Sequence, residues 1–494
     1  MSNKTRSADG GGPLAIILIG ASGDLALKKV IPALFALYSR QLLPDRFQII
    51  GYARSALSDE AFREHMMAHL TCRYAPGDQC DARIREFLEH CVYIAGQYDS
   101  ADALRRIQPA LASLGPTDAV NRIFYMAIPP FLFMDVARAL ADAGLVTHKD
   151  DPGWSRVVIE KPFGRDRASS DELTRNMARV FAEDQTYRID HYLGKEVIQN
   201  LLVLRFANLI FDPIWNRAHV EHVKISWMED FGLEGRAGYF DDYGIIRDVM
   251  QNHLLQILAL VAMEQPVSLE AGYVRDEKVK ALRCVQPATL EDLVVGQYTA
   301  GSLRSARRPG YREEEGVPPD SITPTYAAAA LRIRNRRWDG VPFLVRAGKG
   351  LNARMTEIRI RFRPVPGNIF QHAAGHLANN ELLIRVQPDA AIAFRIVNKA
   401  PGLTIALEES DLDLQYASAF PVQIPDAYEC LLLDVIEGDR SLFIRADELA
   451  AAWDIFTPAL HELESHRIQP RPYPFGGTGP DAAQALAARY GATW

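Results

Sequence analysis

The chain has 494 residues, 48% of them hydrophobic and 24% charged, which is material for roughly two to four domains with sizeable cores. Its 55 Lys and Arg against 62 Asp and Glu give a formal charge of −7 with no long block of one sign. That balance argues against a nucleic-acid footprint or a polybasic membrane patch, so any anionic ligand must be held by local cations.

Five cysteines, Cys72, Cys80, Cys91, Cys284 and Cys430, form no C-x-x-C pair and no even set, and the polar residues 1–12 do not read as a signal peptide. The first apolar run is far shorter than the roughly 20 residues that span a bilayer. A reduced, cytoplasmic, soluble chain is expected.

That run, Leu14-Ala15-Ile16-Ile17-Leu18-Ile19, predicts a strand covered on both faces of a parallel sheet. It ends in Gly20-Ala21-Ser22-Gly23-Asp24-Leu25-Ala26, and a helical pattern follows through Val30, Leu34 and Leu37. Strand, glycine turn and helix form a phosphate cradle, in which Gly20 permits the turn and Gly23 lets a pyrophosphate reach the helix N-terminus. The spacing is G-x-x-G-x-x-A rather than G-x-G-x-x-G, and an ordinary βα turn reads the same way. The next apolar run, Phe47 to Tyr52, leads to Arg54 with no Asp or Glu at the strand end. A carboxylate there binds the ribose 2′-OH of NAD, whereas an arginine suits the 2′-phosphate of NADP. NADP is therefore favoured.

An amphipathic helix is expected around Phe62 to Leu70, then short apolar strands at 92–94, 123–128 and 157–159. Helical patterns lie between them, which predicts a doubly wound α/β domain over residues 1–187. Ligands of such sheets bind beyond the carboxyl ends of the strands. That edge would carry Gly20, Arg54, Pro129, Pro130, Lys161 and Pro162. Lys161 reads either as a lysine snorkelling at a strand end or as a rigidly placed functional cation.

Arg188-Ile189-Asp190-His191-Tyr192-Leu193-Gly194-Lys195-Glu196 gathers cations, carboxylates and a phenol that are costly to bury unless they serve one another. With a helix beginning near Tyr192, the side chains of His191, Tyr192 and Lys195 share one side of its first turn, where an anion is welcome. A solvated helix start is the plainer alternative.

A helix over 197–209 is expected next. The period then changes to two, at Val223, Ile225 and Trp227 and again at Ile358, Ile360 and Phe362, with further strands at 382–386, 392–397 and 431–436. This predicts an α+β domain over residues 188–494 with a large, mainly antiparallel sheet and helices. Residues 304–319 read as an exposed loop, and 470–480 as an irregular tail before a short helix after Asp481. A helix over 245–261 carries His253 on the apolar face of Ile246 and Met250. Such a histidine is either a hydrogen-bonded core group or a base, and Asp190 is its candidate partner. His219 and His222 point to opposite faces of a strand, so no metal site is expected.

Six segments resemble, in order, the glucose-6-phosphate dehydrogenase family: GASGDLA at 20–26, EKPFG at 160–164, RIDHYLGKE at 188–196, GIIRDVMQNHLL at 244–255, WDGVPFLVRAGK at 338–349 and IFTPAL at 455–460. The resemblance implies oxidation of D-glucose 6-phosphate at C1 to 6-phospho-D-glucono-1,5-lactone, with hydride passed to NADP, the first step of the pentose phosphate pathway. It implies a Rossmann-like coenzyme domain with Gly20, Ser22, Gly23, Asp24, Leu25, Arg54, Pro129 and Lys161 at the coenzyme. It implies His253 as general base, Asp190 as its partner, and Lys161 touching both substrate and coenzyme. The sugar phosphate falls to His191, Tyr192 and Lys195, with Lys349 and Arg354 nearby, and the sugar hydroxyls fall to Glu229 and Asp248. The resemblance also implies a homodimer or homotetramer, with no nucleic-acid or membrane partner. A structural second NADP site, known in animal members, finds little support around Arg471 to Tyr473. An oxidoreductase acting on an unphosphorylated sugar would lack the cluster His191, Tyr192 and Lys195, and a non-catalytic NADPH-binding regulator would lack Asp190 or His253.

Overall fold

The protein is described here by a computed structural model covering residues 12–74, 77–148, 150–370 and 377–494. Most of the polar start, residues 1–11, lies outside that set.

The first sheet is built from β1 (Leu14–Ile19), β2 (Phe47–Ala53), β3 (Cys91–Ala95), β4 (Asn121–Met126), β5 (Ser155–Glu160) and β6 (Thr186–Ile189). These strands run parallel in the order β6-β5-β4-β1-β2-β3. Every residue of β1 is buried, because it is central and both faces are covered, which is why it carries no polar alternation. The strand order reverses at β1, so a crevice opens beyond Ile19, at Gly20.

The second half supplies β7 (Val220–Met228), β8 (Leu293–Thr299), β9 (Gly301–Leu303), β10 (Ala306–Arg308), β11 (Tyr326–Arg332), β12 (Pro342–Gly348), β13 (Met355–Phe362), β14 (Glu381–Gln387), β15 (Ala391–Lys399), β16 (Leu407–Gln415), β17 (Phe443–Ile444) and β18 (Arg471–Pro474). Nine of them form a sheet in the order β16-β15-β14-β13-β7-β12-β11-β8-β18. Only β7 with β12 and β8 with β18 pair in parallel there, so the sheet is mainly antiparallel, as expected. The short β17 returns to the first sheet and pairs antiparallel with β6.

Several local expectations are corrected. Residues 431–436 lie in a helix, Ala427–Glu437, not a strand. Asp426 caps it by accepting the Tyr428 N–H at 2.9 Å, and Gly438 ends it at φ 86°. The loop at 304–319 contains β10 and the turn that joins it to β9, whose two residues Arg304 and Ser305 take φ 49° and 69°. The irregular tail contains β18, and as an edge strand it tolerates Pro472 and Pro474. Cys72 and Cys80, eight residues apart, form a disulfide with their Cα atoms 5.7 Å apart, which corrects the reading of an all-reduced chain. A search for C-x-x-C spacing misses a pair closed by a longer loop.

The segment expected as one helix over 245–261 has two parts. Residues Ile246–Leu254 form a π-helix, and Leu255–Ala262 continue as an α-helix. The end of that helix is anchored from three sides. Trp215 Nε1 donates to Val261 O at 2.9 Å, Trp338 Nε1 to Ala262 O at 2.9 Å, and the buried Arg205 guanidinium to Leu260 O and Met263 O at 2.7 and 2.6 Å. These donors satisfy carbonyls that a helix C-terminus leaves unpaired, and the arginine charge suits the negative end of the dipole. Among the described residues no helix is long and apolar enough to cross a membrane.

Candidate active site

The glycine turn sits at the switch point of the first sheet. Gly20 has φ 88°, and a Cβ there would run into the Ala127 carbonyl, so the turn is closed to any other residue. Its N–H donates to Tyr52 O at 2.8 Å, and Gly23 N–H donates back to Gly20 O at 2.9 Å. Leu25 leads into a π-helix, Ala26–Val30, and Asp24 pairs with Lys28 at 2.9 Å on its exposed side. Ser22 Oγ lies 3.4 Å from Ser55 Oγ, which brings the turn beside the end of β2. There Arg54 is exposed, lies over the Tyr98 ring and makes no ion pair among the described residues. A glycine cradle with an uncommitted guanidinium at its side fits a 2′-phosphorylated dinucleotide. Pro129 follows β4 on the same edge, and Lys161 follows β5 with a cis bond to Pro162.

Asp190 lies just past β6, where its Oδ1 accepts the Tyr192 N–H at 3.0 Å. Leu193, Gly194 and Lys195 N–H groups then bond three residues back, so the stretch is a run of tight turns. The helix begins only at Glu196, with Lys195 in extended conformation at its cap. The expected start near Tyr192 is thus four residues early, because the Asp190 side chain competes for backbone N–H groups and favours a turn.

Asp190 and His253 are 63 positions apart in sequence and meet with Oδ1 to Nδ1 at 2.5 Å, each only 2% exposed. The π-helix brings a third group into line. In an α-helix, residues five apart are separated by about 1.4 turns and diverge. The wider coil bonds each residue to the fifth, so Asp248 and His253 lie about one turn apart and both line the same cavity.

That cavity has a volume of 540 Å³ and is lined by Lys29, Lys161, His191, Tyr192, Glu229, Tyr239, Asp248, His253, Lys349, Arg354 and Gln387, among others. Two of its lysines are paired with carboxylates. Lys161 Nζ meets Asp248 Oδ1 at 3.0 Å and its carbonyl at 2.5 Å, and Lys349 Nζ meets Glu229 Oε2 at 2.5 Å. Arg354 lies over the Phe231 ring at 5.4 Å. Lys195 lies over the Tyr192 ring at 5.0 Å, and its Nζ reaches Gln387 Oε1 at 3.3 Å. The Tyr192 hydroxyl is bonded to Trp227 Nε1 and to Thr356 Oγ1, and its ring stacks on His253 at 4.5 Å.

Burial pushes His253 below its ordinary pKa, outweighing the opposing pull of Asp190, and pushes His191 well below. Both imidazoles are therefore neutral near pH 7. Burial alone would raise Asp190, yet His253, His191 and the Tyr192 N–H hold it below the usual carboxylate range. Asp248 is likewise held down, to about 2, by Lys161 and Lys349 against its burial. Ligand atoms of Asp190, His191 and His253 lie within 4.8 Å of one another, close enough in distance alone to hold a metal ion.

The sequence reading missed Lys29, Tyr239 and Gln387, which have no motif of their own, and it missed the surroundings of Glu160. Glu160 ends β5 beside Ile189 of β6; its Oε1 accepts the Tyr125 hydroxyl at 2.6 Å, and the Tyr428 phenol stands near it. Burial raises its pKa to about 7 despite these phenols and Lys161. Between its ordinary value and about 7 the folded protein keeps a proton that the unfolded chain has lost. Stability is then full at low pH and falls as pH rises through that window, by roughly 3 kcal/mol. Glu160→Gln should remove this fall, so its melting temperature should gain on the parent between pH 5 and pH 8. Parallel pH profiles in calorimetry would show that Glu160 is not held neutral.

Comparison with known proteins agrees with this geometry. Residues 17–200 match the family profile "Glucose-6-phosphate dehydrogenase, NAD binding domain", and residues 202–494 match "Glucose-6-phosphate dehydrogenase, C-terminal domain". Glucose-6-phosphate 1-dehydrogenase 1, chloroplastic, of Arabidopsis thaliana is 52% identical over 97% of this chain and 83% of its own. Glucose-6-phosphate 1-dehydrogenase of Dictyostelium discoideum is 47% identical over 99% of this chain and 96% of its own. Glucose-6-phosphate 1-dehydrogenase 6, cytoplasmic, of Arabidopsis thaliana is 46% identical over 97% of this chain and 92% of its own. Among solved structures, a glucose-6-phosphate dehydrogenase in complex with its substrate glucose-6-phosphate superposes with a TM-score of 0.90, at 44% identity and 98% coverage of each chain. Likeness that runs through both halves, from the glycine turn to the last strand, leaves one assignment: the chain belongs to the glucose-6-phosphate dehydrogenase family.

Proposed function

We propose that this protein oxidises D-glucose 6-phosphate at C1 to 6-phospho-D-glucono-1,5-lactone with NADP as hydride acceptor. The observation that carries the reading is the buried Asp190–His253 pair opening onto a cavity rich in cations. Asp190 accepts a hydrogen bond from the Nδ1–H of His253, which leaves Nε2 as the acceptor on the cavity side. In our reading Nε2 removes the C1 hydroxyl proton, and the ionised Asp190 stabilises the imidazolium that forms. Bound NADP supplies the hydride acceptor at C1. Gly20, Ser22, Gly23, Asp24 and Leu25 would hold its pyrophosphate, Arg54 its 2′-phosphate, and Pro129 and Lys161 its nicotinamide end. In the same reading Glu229 and Asp248, each paired with a lysine, accept from sugar hydroxyls. His191, Tyr192, Lys195, Lys349 and Arg354 are our candidates for the phosphate end.

The same reading divides the chain into a coenzyme half, residues 1–187, and a substrate and oligomerisation half, residues 188–494. It takes the working form to be a cytoplasmic homodimer or homotetramer, with no nucleic-acid or membrane partner. Sedimentation of the purified chain tests the assembly.

The direct test is absorbance at the reduced-nicotinamide band with each coenzyme and with phosphorylated and free glucose. Signal with glucose 6-phosphate and NADP is expected, and none under any combination would refute the activity. For Arg54→Ala, the loss of one charge-assisted contact, about 1.5–3 kcal/mol, should raise KM for NADP about 10- to 150-fold and leave KM for NAD nearly unchanged. Equal effects on both coenzymes would remove Arg54 from the 2′-phosphate.

A further inference from the structure

Arg54 is held in place without being neutralised. Its guanidinium lies over the Tyr98 ring at 5.4 Å. A carboxylate in that place would fix the side chain equally well, but it would also cancel the charge a phosphate needs. An aromatic face attracts a planar cation and leaves that charge available.

Tyr98 is itself fixed from β2. The Tyr52 ring lies 6.3 Å from it, and the Tyr52 hydroxyl donates to the carbonyl of Gln97 at 2.7 Å. Between β3 and Tyr98 stands Gly96, where a side chain would collide with the Tyr52 ring. The backbone beside Arg54 is tied down from β3, because the Tyr93 hydroxyl donates to Ser55 O at 2.7 Å. Both the arginine's backbone and the surface beneath its head group are therefore set before any ligand arrives. Preorganisation of this kind strengthens binding by removing the entropy lost when a long, exposed side chain is ordered.

We propose that Tyr98 is a positioning residue for coenzyme choice: its ring presents Arg54 to the 2′-phosphate of NADP, and so widens the preference for NADP over NAD. Tyr98 acts through Arg54 and does not touch the reacting atoms. The proposal rests on the NADP reading given above and adds to it a residue for which no motif exists.

The test uses the full chain, with KM and kcat measured for NADP and NAD in Tyr98→Leu, Tyr98→Phe, Arg54→Ala and the double variant of Tyr98→Leu with Arg54→Ala. Tyr98→Leu should raise KM for NADP about two- to fivefold, the size of an exposed cation–π contact, and leave KM for NAD and both kcat values unchanged. Tyr98→Phe keeps the ring and should recover most of the loss. In the double variant Tyr98→Leu should add nothing to Arg54→Ala, since the two act on one contact. Tyr98→Met, close in volume and with no ring, is the companion variant should the leucine fail to fold, and the same split is expected of it.

Equal rises in both KM values, or full additivity in the double variant, would reduce Tyr98 to a packing residue and overturn the proposal while Arg54→Ala still separates the coenzymes. If Arg54→Ala leaves the two coenzymes equally affected, the NADP reading itself falls and the proposal with it.

Discussion

His253→Asn should lower kcat about 10²- to 10⁴-fold while binding of glucose 6-phosphate changes little, the loss typical of a single placed base. Asparagine is the informative replacement. Its amide can still donate to Asp190, whose carboxylate is buried and whose Oδ2 already has no hydrogen-bond partner among the described residues. An alanine there would leave that charge with still fewer partners and confuse loss of chemistry with loss of stability. The pH profile gives a second reading of the same residue. Because burial holds His253 below its ordinary 6.5, the parent enzyme should lose kcat/KM only below pH 6.5, as the base becomes protonated. That acidic limb should vanish in His253→Asn. Steady-state kinetics with equilibrium binding of the sugar phosphate decides the matter, and turnover within tenfold of the parent would place the base elsewhere.

Lys195→Ala should raise KM for glucose 6-phosphate about 10- to 150-fold and affect free glucose far less, as expected from losing about 1.5–3 kcal/mol of charge-assisted bonding. Lys161 and Lys349 already have carboxylate partners, so a phosphate must compete for them. Lys195 has a neutral amide, Gln387, as its hydrogen-bond partner and forms no ion pair among the described residues. Burial lowers its pKa, which means its charge is poorly solvated and gains most from an arriving anion. Arg354, close enough to add to the positive field, should show a smaller effect. Comparing KM for phosphorylated and free glucose in each variant separates the two, and a larger loss with free glucose would move the phosphate away from Lys195.

Much of this site was legible because the physics acting on it is local. A positive φ at the head of a phosphate cradle is written as Gly20. A buried parallel strand is written as six apolar residues, and a base held in the core as a histidine on an apolar stripe. The segments that escaped were shaped by distant partners. Helix Ala427–Glu437 reads as a strand because several of its apolar residues are buried against the first half, which erases amphipathic spacing. β18 hides in a proline-rich tail because its partner β8 lies far away in sequence. Glu160 looks like the first letter of a motif, and only its burial in the folded chain reveals an acid that keeps its proton near neutrality.

The coil from Ile246 to Leu254 makes the number of residues per turn itself a chemical parameter. Were the same residues to tighten to about 3.6 per turn, Asp248 and His253 would stand about 1.4 turns apart, and one of the two would leave the cavity they now share. The widened coil, and not the spacing in sequence, keeps acid and imidazole on one face.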